Sequence, residues 1–389
     1  MSRKRAAVYV HGLFGWGERD GLYTMLPYWG LTSCDILTDL ASQSYVCHAA
    51  SMGALSSAWD RACELYAQLC GATADYGVAH SEKFGHARYG VTYKTPLVEN
   101  WQDCDIDFVA HSFGGATARL FMDILANGRP DEVEAARAAG ETPSPFFEGG
   151  KAACVHSLTT IASPHNGSSL MDCCGDRATF IVSLLTGVAK ALGISDYKGA
   201  YDFQLDQFGI RRVPGEKFGD TIARIIAADF LGSGDHALRD LSIDSSQALN
   251  AKLGLFPDVY YFSYPCCRSH CALTSYKQKP DASMTPILAG FSRKMGAYYD
   301  QRTPEGRPIG KEWLPNDGLV NTVSAMYPSG DKFVLSADGA DFAPGVWNVM
   351  PVTRQDHFAI MGGFFNANRR DILAFYRNVM QNIDTTYKK

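Results

Sequence analysis

The chain reads as an α/β protein, a mostly parallel sheet with helices packed on both faces, and three observations carry that expectation. First, Ile106, Asp107, Phe108, Val109 and Ala110 form a strand-like run that stops at His111-Ser112-Phe113-Gly114-Gly115. A helical pattern follows at once, with Ala116, Leu120, Phe121, Ile124 and Leu125 on one side and Asn127-Gly128 as a stop signal. Second, Ala6, Ala7, Val8, Tyr9 and Val10 read as a buried strand that runs into the glycine-bearing loop His11-Gly12-Leu13-Phe14-Gly15-Trp16-Gly17. Third, 389 residues with 46% hydrophobic and 20% charged suit one large α/β domain with insertions, or two modest domains.

A small residue, any residue, serine, any residue and glycine, set between a strand and a helix, is the pattern of a nucleophile elbow. Here Ala110 stands where the first glycine is usual. The turn is sharp, so its flanks must lack bulk, and Ala110 and Gly114 do. The helix behind the turn points backbone N–H groups at Ser112, where negative charge on a substrate oxygen would develop. The N–H of Phe113 is one candidate oxyanion donor, and the loop after the first strand supplies a second, that of Leu13.

A serine nucleophile needs a base and an acid that orients it, in the chain order Ser, Asp or Glu, His. Asp317 lies at a turn with Gly318 directly after it, and His357 lies late in the chain after Asp356. Taken singly, Asp317 reads equally as a plain Asp-Gly turn and His357 as a loop histidine. Taken with the elbow they complete a set. Ser112 would attack an ester carbonyl, His357 would take its proton and return it to the leaving alcohol, and Asp317 would hold the imidazole.

The net charge of -5 offers no basic stripe for nucleic acid. The longest apolar run, residues 180–194, is too short for a transmembrane segment and carries Lys190. Within it Phe180, Ile181, Leu184, Leu185, Val188 and Leu192 fall at helical spacing, as in a core-facing helix. The 11 cysteines are spread along the chain rather than set as a disulfide framework. Cys63 and Cys70 sit on a helical pattern and read as small apolar residues. Cys266, Cys267, His270 and Cys271 make a metal-like cluster without the usual Cys-x-x-Cys spacing, so free or disulfide-bonded thiols are the expectation there. Arg3, Lys4 and Arg5 look like the start of a signal peptide, but the His11-Gly12 loop arrives too soon for an apolar region to follow. The expectation is a chain without a cleavable signal.

Beyond these single motifs, the chain resembles the bacterial triacylglycerol lipases of the thermoalkalophilic bacillus type, a branch of the α/β-hydrolases. The likeness runs through residues 11–17, 55–69, 75–90, 110–115, 159–170, 201–212 and 316–324, and around Asp356-His357. It implies an α/β-hydrolase fold over 1–389 and Ser112, Asp317 and His357 as the triad. It implies a structural zinc ion held by Asp60, His80, His86 and Asp235, in an extra segment of about 50–95 together with 205–240. It also implies a helical lid at about 172–200, so the 180–194 helix reads as either a lid or a plain core helix. Cys173 and Cys174 lie beside it and could tether it under oxidation.

The chain departs from the family after the catalytic histidine, where Ala359 and Phe364 replace carboxylates that help bind calcium. Calcium needs oxygen ligands. The calcium site is therefore expected to be absent, with Phe358, Phe364 and Phe365 fixing the loop by apolar packing. Phe113 replaces the usual glutamine and is expected to make the pocket mouth more apolar. The resemblance implies lipid or another apolar ester as substrate, with transient contact at a lipid interface through the lid. A smaller or bulkier ester, acyl transfer to an alcohol, and a catalytically silent binding protein are the alternatives. Family members are exported, whereas the cysteine content suits an intracellular protein, and localisation stays open.

Overall fold

Seven parallel strands form the central sheet: β1 (Lys4–Val10), β2 (Cys47–Ala50), β3 (Cys104–His111), β4 (Val155–Ile161), β5 (Tyr260–Tyr264), β6 (Phe333–Leu335) and β7 (Trp347–Val349). Their order across the sheet is β6-β7-β5-β4-β3-β1-β2. The computed structural model describes residues 3–175, 177–191, 201–211, 213, 215–228, 230–363 and 367–387. β1 and β3 lie side by side in register from Lys4 opposite Cys104 to Val10 opposite Ala110. The loop after β1 and the turn after β3 therefore emerge together, at the carboxyl edge where open α/β sheets bind ligands.

Both faces of the sheet are covered, as an all-parallel sheet requires. Alternation along β1 divides the core: Ala6, Val8 and Val10 enter one apolar cluster, Ala7 and Tyr9 the other. The first cluster packs beneath the helices Ala58–Cys70 and Gly114–Asn127, the latter giving Leu120, Phe121, Ile124 and Leu125. The second packs beneath the C-terminal helix Arg369–Thr386, whose Ile372, Tyr376, Val379, Met380 and Ile383 repeat at helical spacing. The helix Gly114–Asn127 stops at Gly128, which has a φ of 67°.

The stretch 50–95 carries the helix Ala58–Cys70, the antiparallel pair Thr73–Asp75 with Tyr89–Thr92, and the short helix Val78–Phe84. The 180–194 pattern forms a helix at Arg177–Ala191, with Phe180, Leu184 and Leu185 buried. Leu192 and the rest of the expected lid up to residue 200 lie outside the described residues. All 11 cysteines are free thiols, Cys63 and Cys266 buried and Cys271 exposed. Among the described residues, no helix is long and apolar enough to cross a membrane.

Candidate active site

β3 ends at His111 and the helix Gly114–Asn127 begins three residues later, so Ser112 takes the whole change of direction. Its φ of 56° lies in the left-handed region that side chains avoid. Close neighbours must therefore be small. A Cβ on Gly12 would lie 2.6 Å from Ser112 Cβ, and one on Gly114 would lie 2.3 Å from the Val10 carbonyl oxygen. The sequence pattern singled out Gly114 as a small flank of the turn, and Gly12 is a second one that the structure adds.

His357 meets both expected partners. Its Nε2 lies 2.8 Å from Ser112 Oγ and its Nδ1 lies 2.8 Å from Asp317 Oδ2. The other Asp317 oxygen accepts from the N–H groups of Leu319 (3.0 Å) and Val320 (2.8 Å), which fixes the carboxylate. All three side chains are buried. Nδ1 facing a carboxylate is the donor, so Nε2 is left to accept the serine proton.

The loop after β1 is held from behind. His11 Nε2 accepts from Met52 N–H (3.1 Å), so Nδ1 is the protonated nitrogen and donates to the Gly12 carbonyl (2.9 Å). That carbonyl shares its peptide plane with the Leu13 N–H, which must then point the other way. Gly15 N–H also donates to the Gly12 oxygen (3.1 Å). A Cβ on Gly15 would strike the His11 ring at 2.4 Å. Neither Leu13 N–H nor Phe113 N–H donates to an acceptor among the described residues. Tyr28 ties the two turns together: its hydroxyl accepts from Gly12 N–H (3.1 Å) and lies 2.7 Å from His111 Nδ1.

The cavity above Ser112 is lined by Leu13, Phe14, Trp16, Leu170, Met171, Leu319, Val320 and Phe358, and by Phe180 and Leu184 of the helix Arg177–Ala191. It encloses about 70 Å³ of space open to water-sized molecules. That is room for a few waters, since one needs about 10–15 Å³ by this measure. Phe113 does not line it. Its side chain is fully buried and packs 5.4 Å from the Arg61 guanidinium. The expectation that Phe113 makes the mouth more apolar is therefore corrected: the tight turn at Ser112 sends the next side chain into the core.

A second cluster lies in the extra segment. His80 Nε2 is 3.3 Å from Asp60 Oδ1 and 3.0 Å from Asp235 Oδ2, and His86 Nε2 is 3.1 Å from the same Asp235 oxygen. The helix Val78–Phe84 presents His80, and its first turn is capped from outside by Glu132, which accepts from His80 N–H (2.7 Å) and Ala79 N–H (3.0 Å).

Residues 3–388 match the family model described as lipase-like, C-terminal domain. The chain belongs to this family. It is 34% identical over 387 residues to Lipase 2 of Staphylococcus aureus, a match covering 98% of this chain and 54% of that protein. The chain thus spans about half the length of the curated relatives it matches. Among solved structures it is similar to lipase 1 from Pelosinus fermentans, with a TM-score of 0.83, 37% identity and 98% of each chain covered. It is also similar to EstA from Clostridium botulinum, with a TM-score of 0.88, 33% identity, and coverage of 98% of this chain and 87% of that one.

In this lipase-like chain the second cluster fits a metal ion. Four ligands at about 2.0–2.1 Å in a tetrahedron stand about 3.3 Å apart, close to the separations of 3.0, 3.1 and 3.3 Å. Asp60 Oδ1 is buried without a hydrogen-bond partner. His86 Nδ1 lies 2.9 Å from the Ala87 carbonyl and must donate to it, so the Nε2 lone pair faces the centre. Gln207 Nε2 donates to Asp60 Oδ2 (2.8 Å), leaving Oδ1 to face the cluster. Among the described residues this is the one group with metal-holding geometry, and the cysteines around Cys266 do not form another.

The loop around His357 is held by polar bonds that sequence reasoning missed. Asp356 is 1% exposed and accepts from Thr285 N–H (2.8 Å), Thr285 Oγ1 (3.0 Å), Phe358 N–H (3.1 Å) and Ala359 N–H (2.9 Å). Phe358 lines the cavity. Phe364 and Phe365 lie outside the described residues. The available signal was an acid directly before a candidate histidine, where its carboxylate can cap the turn that follows.

Proposed function

We propose that the protein hydrolyses carboxylic esters with a long acyl chain, of the acylglycerol type, through an acyl-enzyme on Ser112. The observation that carries this is the buried hydrogen-bonded series Ser112–His357–Asp317 opening on a cavity lined almost wholly by apolar side chains. Ser112 Oγ attacks the ester carbonyl while His357 Nε2 takes its proton. The carbonyl oxygen becomes an oxyanion facing the N–H groups of Leu13 and Phe113. His357 then gives the proton to the leaving alcohol. Water repeats the sequence on the acyl-enzyme, and Asp317 stabilises the imidazolium in both halves.

Asp60, His80, His86 and Asp235 would hold a structural zinc ion, which supplies cross-linking of the extra segment rather than chemistry. Four protein ligands leave no position for an activated water. No calcium site is proposed beside His357, since Ala359 brings no oxygen ligand from its side chain. The helix Arg177–Ala191 is proposed as the lid: Phe180 and Leu184 close a cavity too small for a long acyl chain. It would swing away at a lipid surface.

A second reading is an esterase for short acyl chains, favoured by the same small cavity. Hydrolysis of p-nitrophenyl esters from short to long, by the protein and by Ser112→Ala, tests both. Activity rising with chain length and lowered about 10⁴-fold or more in the mutant supports the lipase reading. Activity confined to short chains supports the esterase. Equal activity of the two proteins overturns both.

A further inference from the structure

Arg61 follows directly after Asp60 on the helix Ala58–Cys70, yet it faces the other way and is fully buried. Its guanidinium donates through NH2 to the His11 carbonyl, through NH1 to the Gly53 carbonyl (2.9 Å) and through Nε to Thr117 Oγ1 (2.9 Å). Thr117 Oγ1 in turn lies 3.4 Å from the Phe113 carbonyl, to which it donates. All three of these acceptors are neutral. Glu64, one turn along the same helix, spends its oxygens on Gly53 N–H (2.6 Å) and the Tyr76 hydroxyl (3.0 Å).

We infer that Arg61 is a positioning residue of the oxyanion hole, whose planar fork fixes the His11–Gly12 loop and the first turn of the nucleophile helix in one geometry. This rests on the proposed Ser112 chemistry. The two N–H donors come from pieces of chain about a hundred residues apart in sequence, Leu13 and Phe113. Arg61 reaches both pieces at once, the His11 carbonyl directly and the Phe113 carbonyl through the Thr117 hydroxyl, as a rigid group with several donors in one plane can. The fork also sets a positive charge beside the His11 carbonyl and 5.4 Å from the Phe113 ring centre, and a fixed cation near the site favours a developing oxyanion. A buried cation among neutral acceptors costs folding free energy that a well-packed apolar side chain would not, so stability alone does not account for it.

The test uses Arg61→Lys and Thr117→Val in the full chain, with Ser112→Ala as control. Three quantities are read: kcat and KM on a p-nitrophenyl ester, thermal midpoint, and Ki for a trifluoromethyl ketone, which adds to the serine and leaves an oxyanion. Arg61→Lys is expected to lower kcat by about 10–100-fold, as small misplacements of a catalytic group do. KM should hold within about twofold, and Ki should rise in parallel with the loss in kcat/KM. Thr117→Val should move kcat and Ki the same way by less. A folded Arg61→Lys that keeps kcat and Ki within about twofold overturns the inference. So does a lower thermal midpoint with Ki unmoved. If Arg61→Lys does not fold, Thr117→Val decides by the same Ki. If Ser112→Ala keeps full activity, the proposed function fails and this inference falls with it.

Discussion

Ser112 carries strain that its neighbours make possible, and Gly12 is the neighbour with no tolerance. A methyl there would stand 2.6 Å from Ser112 Cβ and 3.1 Å from its Oγ. Gly12→Ala should therefore reduce kcat by about 100-fold or more while the fold persists, since about 1 Å of displacement suffices for that loss. Circular dichroism beside ester kinetics checks both halves. Asp356 poses the converse case, a carboxylate with donors on every side. Asp356→Ala frees the His357 loop from Thr285 and should lower kcat about tenfold and the thermal midpoint by a few degrees. Asp20 has a different signature. Burial, with the charge of Asp202, pushes its carboxyl up to about 6 against the bonds from Gly17 and Gln204. The unfolded chain releases that proton near pH 4 and the folded chain near pH 6. Between these values the folded state holds more protons at this group, so the contribution of Asp20 to stability falls as pH rises from 4 to 6 and then levels. Urea midpoints at pH 4.5 and 7 should show this fall, and Asp20→Asn should flatten it. The hydrogen-bonded set Ser112, His357 and Asp317 could be picked out in the sequence because the proposed reaction dictates residue types and their chain order. Phe113 was misplaced because sequence spacing does not say into which side of a strained turn a side chain is sent.

Among the elements, the extra segment carries the proposed metal cluster, and the proposal makes that segment sensitive to the ion. Its helix Ala58–Cys70 packs into the main core, whereas the short helix Val78–Phe84, which presents His80, buries only Val78 and Ser81. Asp60→Ala should lower the thermal midpoint and leave turnover of the folded protein mostly intact. Chelation should act likewise: a metal present at a thousandfold over its Kd contributes about 4 kcal/mol, or about 8 °C at about 2 °C per kcal/mol. Calorimetry with and without a strong chelator reads this, and an unchanged midpoint would mean the ion is not held. The candidate ligands were picked out by likeness to relatives, because a His pair six apart carries no metal pattern of its own. The helix Arg177–Ala191 stayed ambiguous for a physical reason. A lid and a core helix bury the same apolar stripe, and only its cover over Ser112 separates them. Leu184→Ala should weaken that seat by about 2–5 kcal/mol and raise hydrolysis of a short ester below its solubility limit.

The whole molecule is a sheet whose carboxyl edge gathers residues from remote parts of the chain. Its parallel character followed from β1 and β3, each an apolar run that ends at a glycine turn. The strand order did not, because crossing connections leave no local mark in sequence, and β6 and β7 are each only three residues long. The separation between Ser112 and His357, 245 residues, bears on how the protein is made. Translation proceeds from the N-terminus, and domains tend to fold as they emerge. A nascent chain already displays its elbow, its early glycine loop and Asp317 before the ribosome has added residue 357. During that interval the serine has no base. On the proposed chemistry, hydrolysis needs residue 357, so a product that stops before it is expected to be inert toward esters.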